Sequence, residues 1–250
     1  MLTEERRSLI VDIVNDKKAV SVNELVEMLD TSAATIRRDI NALNKQRKLV
    51  KVFGGATATS SLSVKTGEDA VTLKAGKNVE EKDSIAKYAA SLIQDDDFVY
   101  IDAGTTTLTM IDYINNPKAK FITNGVVHAK RLMDKGLETI MIGGRLKRST
   151  EAVVGPDCVE FIRKYHFSKA FMGTNGISLV AGFTTPDSDE AMIKTEAIRH
   201  TYMSYILADH SKFDQITSVT FADISDCCII TDHAVNREYL NKTVIKTCRE

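Results

Sequence analysis

Apolar residues near the start of the chain recur at the spacing of amphipathic helices. Within residues 3–16 they fall on one face, at Leu9, Ile10, Ile13 and Val14. We expect Thr3 to cap this first helix. A second helix begins at Ser21, whose side chain and that of Glu24 form a capping box that satisfies two backbone N–H groups of the first turn.

A third helical segment follows Ser32 and occupies residues 33–48. On a helical wheel, Ile36, Ile40 and Leu43 lie within about 60° of one another and predict a core-facing side. The opposite side carries Ala34, Arg38, Asn41 and Lys45, with Thr35 and Arg37 beside it. Three short helices in such close succession predict a helix-turn-helix core.

A different pattern follows the third helix. Residues 49–53 alternate and end at Gly54-Gly55, which predicts a β-hairpin, the wing of a winged helix. Residues 57–67 are small, polar and without periodicity, as in a linker. We therefore divide the chain into a winged helix-turn-helix domain at 1–57, a linker at 58–77, and a second domain at 78–250.

From residue 78 onward, apolar strand patterns alternate with helical patterns. The predicted helices lie at 80–93, 106–115, 126–135, 157–165 and 188–200. The predicted strands lie at 98–102, 120–124, 138–142, 168–173, 203–208 and 227–231. Such alternation predicts an α/β domain, with an open and mainly parallel sheet that has helices on both faces.

Charge is distributed unevenly within the first 55 residues. Met1 to Thr31 holds four basic and seven acidic residues, whereas Thr35 to Gly55 holds six basic and one acidic. The net charge of the whole chain is only −1. Positive charge is therefore a local feature of the third helix and the wing, where DNA phosphates would lie. The alternative interpretation is that these basic residues form a solvated helix face in a protein-binding module. The candidate DNA-binding residues are Ser32, Ala33, Ala34, Thr35, Arg37, Arg38, Asn41, Lys45, Lys51, Gly54 and Gly55.

The segment Asp-Ala-Gly-Thr-Thr-Thr at residues 102–107 follows the first strand of this domain and opens a helix. Unpaired N–H groups at a helix N-terminus favour an anion, and Gly104 permits a close backbone approach. The loop lacks the lysine of a P-loop. Asp102 is suited to accept hydrogen bonds from sugar hydroxyls, so a phosphosugar is the expected ligand. The alternative interpretation is that the threonine hydroxyls of this loop only cap an ordinary helix.

Glycine and polar residues also follow the other predicted strands, and the carboxyl ends of parallel strands share one edge of a sheet. Several loops are therefore expected to converge on one crevice, although N-capping remains an alternative for any single aspartate. The candidate effector-binding residues are Asp102, Gly104, Thr105, Thr106, Thr107, Thr123, Asn124, Gly125, Gly143, Gly144, Arg145, Gly173, Asn175, Gly176, Asp189, Lys194 and Lys212.

Other site chemistries find little support in the sequence. The four cysteines, Cys158, Cys227, Cys228 and Cys248, include no C-x-x-C pair and are expected to be reduced structural thiols. We expect no metal, no cofactor and no catalytic residue. No apolar run approaches the roughly 20 residues of a membrane helix, and the amphipathic start is unlike a signal peptide. A cytoplasmic location without a membrane partner is the expectation.

Motifs along nearly the whole chain resemble one family. The segments LTEERRSLIVDIV, VSVNELVEML, SAATIRRDINAL and LVKVFGGA resemble the winged helix-turn-helix of DeoR-family bacterial regulators. DAGTTT, TNG, IGG, GTNGI with GFTT, and LADHSKF resemble the effector domain of that family, which is similar in fold to ribose-5-phosphate isomerase. The exact residues of these motifs are most similar to those of fructose-operon repressors. The resemblance implies a repressor of a sugar-utilisation operon that binds double-stranded operator DNA and is released by fructose 1-phosphate.

Two other functions remain open. An isomerase with an accessory DNA-binding domain would need catalytic acids where this sequence has Thr174 and Asn175, and neither residue is a general base. A constitutive DNA-binding protein would use its α/β domain only to oligomerise. A homo-oligomer is expected because paired half-sites multiply specificity. The sequence does not distinguish a dimer from a tetramer, and the sign of regulation follows from the resemblance alone.

Overall fold

The computed structural model of the protein describes residues 2–46, 48–58, 67 and 71–248. The chain divides into two compact units, Met1–Ser63 and Val64–Glu250. Of the predicted linker at 58–77, residues 59–66 and 68–70 lie outside the described residues.

The N-terminal unit combines three helices with a small antiparallel sheet. Its helices are α1 (Thr3–Lys17), α2 (Val22–Leu29) and α3 (Ala33–Lys45). Its strands are β1 (Ala19–Ser21), β2 (Leu49–Val52) and β3 (Gly55–Ala58), in the order β1-β3-β2. The predicted wing hairpin is therefore confirmed as β2 and β3. Strand β1 was not predicted, because three residues are too short for an alternating pattern.

Local capping explains where these helices begin. The capping box of Ser21 and Glu24 is present, and the Ser32 hydroxyl accepts a hydrogen bond from the Thr35 N–H at 3.3 Å. The prediction that Thr3 caps α1 is wrong, because Thr3 is the first helical residue and follows the N-cap Leu2. The core forms where the predicted apolar faces meet, and it includes Ile10, Val14, Leu25, Leu29, Ile36, Ile40, Leu43 and Leu49.

The second unit is built from α/β elements and several short hairpins. Its helices are α4 (Val71–Ala75), α5 (Val79–Ser91), α6 (Thr105–Asp112), α7 (Val126–Asp134), α8 (Pro156–Ile162), α9 (Ser188–Arg199) and α10 (Arg237–Leu240). Its strands are β4 (Phe98–Ile101), β5 (Lys120–Thr123), β6 (Glu138–Met141), β7 (Arg145–Lys147), β8 (Ala152–Val154), β9 (Phe167–Gly173), β10 (Gly176–Ser178), β11 (Gly182–Thr185), β12 (Thr201–Leu207), β13 (Val219–Ala222), β14 (Cys228–Thr231) and β15 (Ile245–Thr247).

A parallel sheet forms the centre of this unit. Within the described ranges it has seven strands, in the order β15-β14-β12-β9-β4-β5-β6. Six of them match the six predicted strands. Smaller antiparallel sheets, β10-β11-β13 and β7-β8, lie outside it. The predicted mainly parallel α/β architecture is confirmed.

Helices cover both faces of the sheet, as predicted. Apolar residues of α5, α6 and α7 pack in one core cluster with Val99, Phe121 and Phe171. Apolar residues of α8 and α9 pack in another cluster with Tyr100 and Met172. Because β12, β9 and β4 are neighbours, the loops that follow their carboxyl ends meet although they are far apart in sequence.

Candidate DNA-binding face and ligand cavity

The outward side of α3 carries the predicted polar and basic residues. Ala34, Arg37, Arg38, Asn41 and Lys45 are all exposed, while the opposite side of the helix is buried. Within the described part of the chain, none of these basic side chains forms an ion pair. The two arginines are therefore available to bind an external acceptor such as a guanine edge or a phosphate.

The acidic residue within the basic segment is turned inward. Asp39 is 2% exposed, and its carboxylate accepts hydrogen bonds from Arg6 Nε at 2.7 Å and Arg7 Nε at 2.9 Å. These ion pairs link α3 to α1. They also remove the negative charge of Asp39 from the outer side of α3, so the exposed charge on that side is basic.

The first turn of α3 and the wing contain the other predicted residues. Ser32 caps the helix, its hydroxyl lies 2.9 Å from that of Thr35, and Ala33 packs partly against the core. The Lys51 N–H donates to Asn44 Oδ1 at 2.9 Å, which holds the exposed wing strand β2 against α3. This hydrogen bond connects the wing to the C-terminal part of α3.

The two wing glycines have structural roles. Gly54 has a positive φ of 79°, and its carbonyl accepts from the Val22 N–H at 2.8 Å. Gly55 is buried, and a Cβ there would lie 2.2 Å from the Val20 carbonyl oxygen. Phe53, which precedes them at the tip, is fully exposed. Of these turn residues, Phe53 offers the side chain that an external partner would meet.

A cavity of about 420 Å³ opens at the carboxyl ends of β4, β9 and β12. Eight of the predicted effector-binding residues line it: Asp102, Gly104, Thr105, Thr106, Gly173, Asn175, Lys194 and Lys212. It brings together loops from distant parts of the chain, as the sequence pattern predicts.

A buried ion pair forms one wall of this cavity. Lys194 Nζ of α9 donates to Asp102 Oδ2. Lys194 is 5% exposed and Asp102 is 4% exposed. The Gly173 N–H also donates to Oδ2 at 3.2 Å. Among the described residues, no hydrogen bond involves the other carboxylate oxygen, Oδ1. That oxygen can accept a hydrogen bond from a ligand hydroxyl.

The N-terminus of α6 forms another wall. The backbone N–H groups of Thr105 and Thr106 have no acceptor in the part of the chain that the structure describes. Thr107 lies below the loop, fully buried, where its hydroxyl donates to the Asp102 carbonyl at 2.6 Å and accepts from the Gly104 N–H at 3.0 Å. The N-terminus is thus held open toward the cavity while Thr107 fixes its shape.

His128 of α7 supports the same loop from beneath. Its Nε2 lies 2.9 Å from the Gly104 carbonyl oxygen, so the neutral ring donates there. Burial lowers the pKa of His128 from 6.5 to about 4, against the opposing effects of the Gly104 carbonyl and Asp102. The ring is therefore neutral at physiological pH.

Several predicted effector residues do not line the cavity but hold its loops. Asn124 Oδ1 accepts from the Ala103 N–H at 3.1 Å and the Tyr100 hydroxyl at 3.2 Å, and its amide donates to Val153. Thr123 is fully buried, and its hydroxyl accepts from the Gly125 N–H at 3.0 Å. A Cβ on Gly125 would lie 2.4 Å from His128 Nδ1. Thr107, Thr123, Asn124 and Gly125 therefore support the loop from behind.

The remaining predicted residues lie farther from the cavity surface. Gly143, Gly144 and Arg145 are exposed, and Arg145 forms an ion pair with Asp189. A Cβ on Gly176 would lie 2.4 Å from the Gln215 carbonyl oxygen. Glu190, next to Asp189, is the α9 carboxylate that lines the cavity, where it accepts from Lys147 Nζ and the Thr150 hydroxyl, each at 2.9 Å.

Sequence reasoning missed a second group of cavity residues, on α4, on α5, in the turn between these helices and in the loop after β12. They are Lys74, Lys77, Asn78, Lys82, Asp209 and Ser211. Lys74 and Lys77 fall in the segment that the sequence predicts to be linker. Lys82 carried a usable signal, because it precedes Ile85, Ala86 and Ala89 at helical spacing and so lies on the buried side of α5.

Across the described ranges, no group of three or more histidine, cysteine, aspartate or glutamate residues is placed to hold a metal ion. The same ranges contain no helix that is both long and apolar enough to cross a membrane. All four cysteines are free thiols.

The chain matches two family models that together cover most of its length. The DeoR-like helix-turn-helix domain matches residues 6–62, and the DeoR C terminal sensor domain matches residues 77–233. The chain is 41% identical over 253 residues to the uncharacterized HTH-type transcriptional regulator FruR of Bacillus subtilis (strain 168), with 100% of both chains covered. It is 31% identical over 252 residues to the lactose phosphotransferase system repressor of Staphylococcus aureus (strain NCTC 8325 / PS 47), with 100% of this chain and 97% of that one covered.

Solved structures give a weaker likeness. Ribose 5-phosphate isomerase A from Methanocaldococcus jannaschii aligns with 55% of each chain, at a TM-score of 0.41 and 15% identity. This likeness is too low to bear on activity. The two domain matches and the full-length relatives together show that the chain belongs to the DeoR family of helix-turn-helix transcriptional regulators.

Proposed function

We propose that the protein is a repressor of a sugar-utilisation operon, with fructose as the favoured sugar, and that a sugar phosphate such as fructose 1-phosphate releases it from its operator. The observation that carries this proposal is the cavity, where the open N-terminus of α6 lies beside the buried pair of Asp102 and Lys194. A phosphate suits the helix N-terminus, and sugar hydroxyls suit a carboxylate oxygen that has no other partner.

The operator is bound by the outer side of α3, with the wing beside it. Exposed Arg37 and Arg38 and the small Ala34 fit a major groove, where arginine binds guanine bidentately. One such helix reads few bases, so a homo-oligomer that places two helices on paired half-sites is part of the proposal. The assignment as a repressor is supported by the Staphylococcus aureus relative, which is a lactose phosphotransferase system repressor.

The sugar phosphate is bound without being converted. Where catalytic acids are expected in an isomerase, the Thr174 hydroxyl donates to the Gly176 and Thr184 carbonyls, and Asn175 accepts from the Thr185 hydroxyl. Neither side chain can remove a proton from a sugar carbon. A coupled assay with ribose 5-phosphate should show no turnover, and clear turnover would refute this part of the proposal.

Release requires that the ligand prefer one conformation of the oligomer. Converting a mostly bound repressor into a mostly free one takes a differential affinity of about 5 kcal/mol between the two states. Gel shifts with operator DNA, with and without sugar phosphate, separate this protein from a constitutive DNA-binding protein. An unchanged shift at saturating ligand would contradict the proposal.

Calorimetry tests the identity of the ligand. Fructose 1-phosphate, fructose 6-phosphate and tagatose 6-phosphate should be titrated into the full-length protein, and fructose 1-phosphate is expected to bind most tightly. The absence of binding heat with fructose 1-phosphate would remove fructose as the favoured sugar. A folded Asp102→Ala variant should still bind operator DNA but no longer respond to the ligand, and loss of its DNA binding would contradict this division of roles.

A further inference from the structure

The tip of the wing presents an aromatic ring entirely to solvent. Phe53 and Gly54 form the turn between β2 and β3, and the Phe53 side chain is fully exposed. Val50 and Val52 on β2 are also exposed, at 44% and 42%. The core of this unit, as far as the structure describes it, does not include Phe53. Contact of a large apolar ring with water is unfavourable, so the ring is suited to a partner that buries it.

The turn that carries this ring is held in place by the rest of the unit. The Gly54 carbonyl accepts a hydrogen bond from the Val22 N–H of α2 at 2.8 Å. On the other strand of the hairpin, the Lys51 N–H donates to Asn44 Oδ1 of α3 at 2.9 Å. The two alanines of β3 belong to the core. The ring therefore projects from a hairpin that is already ordered, which reduces the entropy lost when a partner binds.

The surroundings of the ring are basic. Residues 45–58 contain four basic residues and no acidic one. Of these basic residues, Lys45, Lys48 and Lys51 are exposed. Such a surface favours a partner with a high density of negative charge. Double-stranded DNA combines phosphates along its edges with apolar base faces between them, so it can bind both the lysines and the ring.

We propose that Phe53 is a wedge that inserts between two base pairs in a minor groove of the operator and bends the DNA. This inference rests on the proposed function, because it requires that α3 binds the operator. The hydrogen bond between Lys51 and Asn44 connects the wing to the C-terminal part of α3. With α3 in a major groove, the wing meets the minor groove that follows. An apolar side chain inserted there partly unstacks a base step and bends the duplex toward its major groove.

The wedge gives the protein a sequence preference that needs no hydrogen bond to a base. Pyrimidine–purine steps such as TA unstack and bend more readily than stiff A-tracts. The operator is therefore expected to carry a flexible step where the wing meets it. Gly54 and Gly55 follow the ring, and neither has a side chain that would keep the sugar–phosphate backbone away from it.

Phe53→Ala tests the wedge in the full-length protein, with a duplex that the wild type selects from random sequences. Because the ring lies outside the core, the variant should unfold in urea as the wild type does. Its affinity for the selected duplex should fall roughly 5- to 100-fold, the range for loss of one aromatic ring stacked on a base. Phe53→Leu keeps an apolar wedge and should retain most of the affinity. The matched control is Val180→Ala, which shortens another exposed apolar side chain, between β10 and β11 of the second unit.

Two further measurements separate insertion from simple contact. Energy transfer between dyes at the two ends of the duplex should show a bend with the wild type and with Phe53→Leu, and a straighter duplex with Phe53→Ala. Replacing the flexible step by an A-tract should weaken binding of the wild type and have little effect on Phe53→Ala. The slope of log K against log salt should be equal in the two proteins, because no charge is removed.

Different outcomes overturn different proposals. If the wild type binds and bends the duplex and Phe53→Ala does so equally well, the wedge is wrong and the proposed function stands. A loss of affinity in Phe53→Ala without any bend in the wild-type complex would likewise exclude insertion. If Phe53→Ala binds and bends DNA normally but no longer represses transcription in a purified system, the ring contacts a protein instead. If the wild type selects no duplex, the proposed function itself fails and the wedge fails with it.

Discussion

Both units contain a cluster of basic residues, but the two clusters differ in their exposure to solvent. On the outer side of α3, Arg37, Arg38 and Lys45 are exposed. In the cavity of the second unit, Lys82 and Lys194 are more than nine-tenths buried, and Lys194 is paired with Asp102. Exposed charges are well hydrated and screened by salt, whereas buried charges depend on a few specific partners.

The difference matches the ligands proposed for each region. A long polyanion offers many phosphates, so operator binding can be built from several weak and salt-sensitive contacts. A small sugar phosphate offers one phosphate and a few hydroxyls, so its site needs desolvated partners that are each strong. Replacing a single buried group should therefore have a larger effect than replacing a single exposed one.

The largest effect is expected from breaking the buried pair. Asp102→Asn leaves the Lys194 ammonium without its counter-ion, and we expect the free energy of unfolding to fall by about 3–5 kcal/mol. The matched control is Asp134→Asn, which breaks the exposed pair of Asp134 and Lys130, 2.7 Å apart, and should cost less than about 0.5 kcal/mol. Urea unfolding measures both, and equal losses would contradict the contrast between buried and exposed charges.

The second largest effect is a pH dependence of the free energy of unfolding, caused by His128 beneath the loop at residues 102–107. The unfolded state protonates His128 near pH 6.5, whereas the native ring does so only near pH 4. The unfolded state therefore binds more protons in this window, and stability should fall by about 3 kcal/mol as the pH drops from 6.5 to 4. His128→Gln, whose amide can still donate to Gly104, should lack this component. Unfolding curves that run parallel in the two proteins across this range would show that His128 is not the cause.

A smaller effect is expected from the exposed arginine. Arg38→Ala should weaken operator binding by about 1–3 kcal/mol if Arg38 reads a base, and it should leave ligand affinity unchanged. Arg131→Ala on α7 of the other unit is the control and should bind the operator normally. Quantitative gel shifts give both values, and undiminished binding by Arg38→Ala would mean that another face of the unit meets the DNA.

The smallest effect is expected at the wing. Lys51 is exposed, so Lys51→Ala should weaken binding to all sequences alike and reduce the slope of log K against log salt by about one. Binding titrations at several salt concentrations measure that slope. Lys87→Ala should not change it. A sequence-dependent loss without a change of slope would indicate that Lys51 reads a base instead of a phosphate.

Much of the architecture could be predicted from the sequence because its long apolar patterns are regular. The six predicted strands of the parallel sheet are found within one or two residues of their expected ends. The missed strands, such as β7, β10 and β15, have three residues each, too few to display a period. Helix α4 was missed for a similar reason, since its five residues follow a polar segment typical of linkers.

For the candidate site, the sequence indicated the loops better than the individual side chains. Asp102 and Lys194 were both expected near the ligand, and the structure brings them into contact. The roles of Thr107 and Asn124 as supports for the loop could not be predicted, because they depend on hydrogen bonds to residues fixed only by the fold. Asp189 and Glu190 are neighbours in sequence, and only the rotation of α9 decides which one lines the cavity.

The strand order has a consequence for the time at which each unit is completed during synthesis. The sheet places β12 between β9 and β14, and the lining of the cavity extends to Thr217, so the cavity lacks a wall until the chain has been made through that residue. The last strand of the helix-turn-helix unit ends at residue 58. On the ribosome, the operator-reading unit can therefore fold long before the sensor exists, because domains fold as units from the N-terminus. In each newly made molecule, the helix-turn-helix unit is therefore expected to fold before the cavity of the second unit is complete.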